Sequence, residues 1–86
     1  MELRKFLNEK GQVTLSPTSP KEVALVVDYL AGKFSSDKRY SELEVNAILK
    51  QWHTFSDWVT LRRELVDRGF LDRELNGSVY WRTALN

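Results

Sequence analysis

Cysteine is absent from the 86 residues, which excludes disulfides, thiolate metal ligands and a cysteine nucleophile together. That composition suits a reducing compartment, and a cytoplasmic location is expected. Long apolar runs are also missing. The longest, Val23 to Val27, falls far short of the ~20 residues a membrane span requires, and Met1-Glu2-Leu3-Arg4-Lys5 leads into no apolar signal core. The chain therefore reads as soluble and unexported, with no membrane partner. An excess of one charge is lacking too: 13 Lys plus Arg against 12 Asp plus Glu leave a formal net charge of +1. Attraction to nucleic acid would have to come from where the charges sit, not from their sum.

What remains is a globular composition, 42% hydrophobic, 29% charged and 12% aromatic, enough for one domain with a single modest core. Both prolines fall in the patch Ser16-Pro17-Thr18-Ser19-Pro20, the one obvious connector. It separates a short arm, residues 1–19, from a body over residues 20–86. In the arm, Leu3, Phe6 and Leu7 are spaced as one apolar helical face, Gly11 is placed to end it, and residues 12–15 read as a short extended piece. An arm this short cannot bury Phe6 by itself, so docking on the body or on a second subunit is expected.

In the body, Val23, Val27, Leu30 and Phe34 recur at helical spacing after Pro20, and Gly32 with Ser35 and Ser36 marks the end. Ser41 and Glu44 form a capping box, opening a second helix with an inner face of Val45, Ile48, Leu49 and Trp52 that stops near His53. Ser56 is the expected N-cap of a third helix, with Trp58, Leu61 and Leu65 inward and Gly69 at the end. Residues 70–75 and 78–83 are rich in strand formers and flank Asn76-Gly77, the signature of a two-residue type I′ hairpin. That register sets Arg73 opposite Tyr80 and Leu71 opposite Arg82. With residues 38–40 as a short strand before helix two, the expected fold is α+β: a winged helix-turn-helix with a three-helix core, a C-terminal β-hairpin and the N-terminal arm.

The segment Leu61-Arg62-Arg63-Glu64-Leu65-Val66-Asp67-Arg68-Gly69-Phe70-Leu71-Asp72-Arg73 resembles the recognition helix, glycine turn and wing start of bacterial winged-helix regulators. A wider likeness runs through Phe6-Leu7-Asn8-Glu9-Lys10-Gly11, Pro17, Arg39-Tyr40-Ser41-Glu42, Glu44-Val45-Asn46, residues 61–69, Asp72-Arg73, Gly77-Ser78 and Tyr80-Trp81-Arg82. In these the chain resembles a bacterial family of domains of unknown function whose members stand alone or are attached to helix-turn-helix transcriptional regulators. The resemblance implies a regulatory setting and names no ligand. In that family the stretch after the proline is basic; here it is Thr18-Ser19-Pro20-Lys21-Glu22, which weakens a phosphate-binding role for it.

At 100° per residue, the face of helix three opposite Trp58, Leu61 and Leu65 carries Ser56, Thr60, Arg63 and Asp67, with Val59 and Arg62 on a flank. In a major groove Arg63 would contact guanine bidentately, at about 1–3 kcal/mol for a good pair. Thr60 would meet a thymine methyl or a phosphate, and Arg62 the backbone. On the hairpin, Arg73, Asn76, Ser78 and Arg82 would grip a minor-groove edge or phosphates; Arg39, on the short strand, completes the DNA-binding set. The competing reading is that the helix-three arginines pair with carboxylates such as Glu44 and Asp67 and only solvate the surface. Residues 57–73 hold four arginines and four carboxylates, and a monomer neutralising three or four phosphates would show a salt slope of only about −3 to −4. A homodimer would double it. Leu3, Phe6, Val59 and Val66 are the candidates for an apolar dimer contact, or else for the chain's own core.

His53 is the lone histidine. Asp57 lies four residues on, but no further ligands gather nearby, so a turn-capping or surface role is expected and a metal site is not. There is no nucleophile elbow, phosphate-cradling glycine loop or paired-carboxylate motif, and neither an enzyme activity nor a cofactor is expected. Trp52 and Trp58 are assigned to the core; the face taken by Trp81 depends on hairpin register. Asn46 is read as a polar link from helix two to helix three or the hairpin. Two functions follow. One is a transcriptional-regulator domain that binds duplex DNA through helix three and the hairpin, as a dimer. The other is the same fold used as a protein-interaction or dimerisation module, with a regulator protein as partner.

Overall fold

Three helices and a small antiparallel sheet make up the structure, a computed structural model that describes residues 2–83. A 3-10 helix over Glu2–Phe6 precedes α1 (Pro20–Ala31), β1 (Arg39–Tyr40), α2 (Glu42–Trp52), α3 (Trp58–Asp67), β2 (Leu71–Arg73) and β3 (Tyr80–Arg82). This is an α+β arrangement compatible with a winged helix. The strand order is β1-β3-β2, with β3 antiparallel to both neighbours. No helix among the described residues is long and apolar enough to cross a membrane.

Local chemistry sets the first two helix starts. Pro20 occupies the first turn of α1, where its missing N–H costs nothing, and the Ser19 hydroxyl accepts the Glu22 N–H at 3.2 Å. At α2 the capping box is closed in both directions: Ser41 N–H donates to Glu44 at 2.8 Å and Glu44 N–H to Ser41 Oγ at 3.1 Å. The expected start of α3 is corrected. Asp57, not Ser56, is the N-cap, and it makes no side-chain capping bond. Ser56 instead lies at φ +54° in the chain reversal before it, which spoils its use as a cap because an N-cap needs extended backbone.

The type I′ turn is also corrected. Ser56 is the one described non-glycine residue with positive φ, so Asn76 lacks the conformation that turn requires at both central positions. Gly77 N–H donates to the Glu74 carbonyl at 2.8 Å and Glu74 N–H to the Val79 carbonyl at 2.9 Å, making a four-residue loop over residues 75–78. Asn76 Oδ1 accepts the N–H and the hydroxyl of Ser78. The longer loop is centred where the shorter one would be, so the expected register survives: Arg73 faces Tyr80 and Leu71 faces Arg82. The strands are correspondingly shorter than the runs 70–75 and 78–83.

The core collects Val26, Val27, Leu30 and Ala31 from α1, Val45 and Leu49 from α2, Leu61 and Leu65 from α3, and Leu71, Tyr40 and Tyr80 from the sheet. Phe34 lies past the end of α1 yet is buried, edge-on to Tyr40 at 5.3 Å. Trp52 and Trp58 sit at the core's rim, only half-buried. Lysines cover them there: Lys33 lies 3.9 Å from the Trp52 centroid and Lys50 4.2 Å from that of Trp58, a cation–π placement.

The arm enters the same core through Phe6 and Val13. Thr14 N–H donates to the Phe6 carbonyl at 2.7 Å, Val13 N–H to Trp52 at 2.8 Å and Thr54 N–H to Val13 at 3.0 Å, so Val13 is stitched into the α2–α3 connection. The Tyr29 hydroxyl donates to the Gly11 carbonyl at 2.6 Å. Gly11 has φ +80°, a conformation that favours glycine, and a Cβ there would lie 3.0 Å from that hydroxyl.

Two surface carboxylates tie this scaffold to pH. The Ser41 backbone N–H holds the Glu44 carboxyl below its ordinary range, and the Thr18 backbone N–H, followed by its hydroxyl, does the same for Glu22. A carboxylate with a depressed folded pKa binds its proton less tightly than in the unfolded chain. Its contribution is therefore full above about pH 5 and is lost as pH falls through the folded value. Urea midpoints measured from pH 6 to pH 3 should fall in this acid range, with a smaller fall for Glu44→Gln; equal falls would remove the capping box from the explanation.

Candidate functional site

Helix α3 is held by groups on both sides of it. Arg62 Nη1 donates to Asn46 Oδ1 at 2.5 Å, so Asn46 is the polar link from α2 to α3. Ahead of the helix, buried His53 presents Nδ1 to the Leu49 carbonyl and accepts the Asp57 N–H on Nε2 at 2.9 Å. A carbonyl can only accept and a backbone N–H only donate, so the ring is the neutral tautomer protonated on Nδ1. His53 thus bridges the end of α2 to the start of α3, the turn-capping role, and Phe55 packs edge-on against it at 4.8 Å.

With α3 so anchored, Thr60 and Arg63 project one turn apart and are exposed, as neighbours at i and i+3. Among the described residues neither Arg62 nor Arg63 pairs with a carboxylate. Arg68 takes the nearby carboxylate, bonding Glu64 at 2.7 Å within the helix. Arg63 is left with no partner among the described residues, whereas Arg62 is committed to Asn46.

The sheet divides the remaining candidates. One cross-strand row contains Tyr40, Tyr80 and Arg73, the next Arg39, Trp81 and Asp72. Tyr40 and Tyr80 are buried, so the second row faces away from the core and Trp81 lies on the outer face. Arg73 is exposed at the end of β2, and in the hairpin loop beyond it the Ser78 hydroxyl donates to Asn76. The Tyr80 hydroxyl donates to Glu42 at 3.1 Å, fixing β3 to the start of α2.

Arg39 and Arg82 are not part of either cluster. Arg39 places its guanidinium 4.7 Å from the Trp81 centroid, and Arg82 Nη1 donates to the Phe34 carbonyl at 3.2 Å. Together with Ser36, Asp37, Lys38 and Trp81 they line a cavity of about 250 Å³ at the end of β3 away from the hairpin loop. Sequence reasoning passed over Lys38 and Ser36, because only the pairing of β1 with β3 carries the loop before β1 to Trp81. The eight candidates are therefore dispersed: Thr60 and Arg63 on the exposed face of α3, Arg62 where α3 meets α2, Arg73, Asn76 and Ser78 on the hairpin, and Arg39 and Arg82 at this cavity.

No curated protein and no solved structure matches the chain. A family model does match residues 12–82, a span that takes in all three helices, the sheet and every candidate residue. The chain accordingly belongs to the bacterial family described as uncharacterised protein conserved in bacteria, DUF2087.

Proposed function

We propose that this chain is a winged-helix domain of a bacterial transcriptional regulator and binds duplex DNA with the outer face of α3 and the hairpin. The observation that carries the reading is the exposed pair Thr60 and Arg63 on a helix anchored from behind, with the Arg63 guanidinium unpaired among the described residues. A rigid helix offering a free guanidinium suits bidentate contact with a guanine edge, and exposed Arg73 suits a phosphate. Arg62 has a structural task in this reading, and Arg82 and Arg39 stand apart from the groove-facing set.

Duplex binding at two salt concentrations tests it. The double variant Arg63→Ala with Arg73→Ala should bind at least about tenfold more weakly, with a salt slope shallower by about 1 for the phosphate-directed charge removed at Arg73. Native protein that shows no salt-sensitive binding at low ionic strength would end this reading. A protein-contact role is favoured by one observation, the 45% exposure of Val59 on the flank of α3. A homodimer or a regulator protein seated there would be weakened by Val59→Asp, whereas the Arg63→Ala, Arg73→Ala variant would leave that contact intact.

A further inference from the structure

The hairpin loop holds the Asn76 side chain in a way that the duplex reading does not use. Ser78 N–H donates to Asn76 Oδ1 at 3.0 Å, and the Ser78 hydroxyl donates to the same oxygen at 2.7 Å. A backbone N–H can only donate, so the atom bonded to Ser78 is the amide oxygen and not its nitrogen. Nδ2 has no partner among the described residues. Asn76 is exposed to water, and the next residue, Gly77, carries no side chain to crowd its own nitrogen; a Cβ there would meet nothing nearer in the rest of the chain than Glu42 Oε1 at 3.7 Å. One bond opposes a reaction between the two residues. Gly77 N–H donates to the Glu74 carbonyl at 2.8 Å and must be released before that nitrogen can act, which slows it by about two- to tenfold for a single backbone bond.

We propose that Asn76 is a self-modification site, losing its side-chain amide to attack by the Gly77 nitrogen and ending as aspartate or isoaspartate. Hydroxide removes the Gly77 amide proton, and the nitrogen forms a bond to Asn76 Cγ. The π electron pair of the side-chain carbonyl moves onto Oδ1, so negative charge develops on the one atom that already faces two donors, an oxyanion arrangement. The pair returns, the Cγ–Nδ2 bond breaks, and Nδ2 leaves as ammonia after taking a proton from water. Water then opens the five-membered imide at one of its two carbonyls. Opening at Cγ gives aspartate in the ordinary chain; opening at the backbone carbonyl carbon gives isoaspartate, with the chain routed through the side chain. Nothing is oxidised or reduced. Either product puts a carboxylate where a neutral amide stood, close in sequence to exposed Arg73, and takes the formal net charge from +1 to zero. In the duplex reading, on which this consequence alone rests, the new charge repels phosphate and weakens binding as the protein ages.

Ageing the full chain at neutral and at mildly alkaline pH, followed by peptide mapping by mass, tests the site. The mass gain of amide-to-acid conversion should appear in the peptide holding Asn76, as a mixture of aspartyl and isoaspartyl forms, and faster at the higher pH. Asn8 and Asn46 serve as internal controls, because they precede Glu9 and Ala47, whose side chains crowd the attacking nitrogen, and Asn46 is also held by Arg62. The native rate should lie within about tenfold of the rate in urea, the limit set by the one opposing bond. Ser78→Ala removes the hydroxyl donor and keeps the N–H; it should slow the native reaction by about threefold or more, with no such change in urea. The proposal is overturned if Asn76 stays intact while the unfolded chain converts, if Asn8 or Asn46 converts equally fast, or if folded Ser78→Ala reacts as fast as the native protein. Duplex titration of the aged chain and of Asn76→Asp reads the consequence separately. Fresh protein that binds no duplex would end the DNA reading and leave the modification standing, whereas a duplex-binding chain whose Asn76 never converts would end the modification alone.

Discussion

Replacing Phe6 by alanine should lower stability by about 3–5 kcal/mol, the range for truncating a buried phenylalanine. A chain of this size has only about 4–13 kcal/mol in total, so the variant would lie close to unfolding. Phe6 is 2% exposed and belongs to the same core cluster as Leu30, Leu49 and Leu65, although it precedes the region shared with the family, which begins at residue 12. A chain trimmed to residues 12–82 should lose at least as much, because it also loses the Thr14 bond to the Phe6 carbonyl and the Gly11 carbonyl that receives the Tyr29 hydroxyl. Urea unfolding reads both; a midpoint for Phe6→Ala indistinguishable from native, at equal slope, would mean that the arm does not pack on the core in solution.

The second large effect is expected at His53, which is 4% exposed. His53→Leu keeps the volume roughly but leaves the Asp57 N–H without its acceptor, a loss of about 1–3 kcal/mol for an unsatisfied amide. The Leu49 carbonyl is less affected, since it still accepts the backbone N–H of residue 53. His53→Gln can offer an amide oxygen near the place of Nε2 and should retain part of the stability that leucine loses. Comparing the two by urea unfolding separates the polar bridge from simple packing: equal losses would assign the whole effect to packing. Because the bridge sets where α3 begins, His53→Leu should also reduce duplex affinity in the reading proposed above, without removing any group that touches DNA.

These two sites show different degrees of legibility. The capping box at Ser41 and Glu44, the start of α1 at Pro20 and the register of the hairpin are local matters, decided within a few residues, and they could be read from spacing alone. The start of α3 could not. Ser56 has the right side chain for an N-cap, but the chain must reverse between α2 and α3, and that reversal puts Ser56 at positive φ and hands the organising role to a histidine. Asn76-Gly77 likewise has the right dipeptide for a two-residue turn. Asn76 instead bonds Ser78 and the loop relaxes to four residues, which leaves the register alone because the centre of the loop is unchanged.

The candidate arginines divide in the same way. Helical periodicity alone determined that Arg63 faces outward and that Leu61 and Leu65 face inward, since 3.6 residues per turn fixes a face without reference to any other element. Which arginine is free was decided by tertiary structure: Arg62 meets Asn46 16 positions earlier, Arg82 meets the Phe34 carbonyl 48 positions earlier, and Arg39 meets Trp81 only because β1 pairs with β3. Composition and local pattern determined the order of the elements and the polarity of each helix. Contacts between residues distant in the chain decided which charges are bound and which face of the sheet carries Trp81, because those depend on packing that no window of neighbouring residues contains.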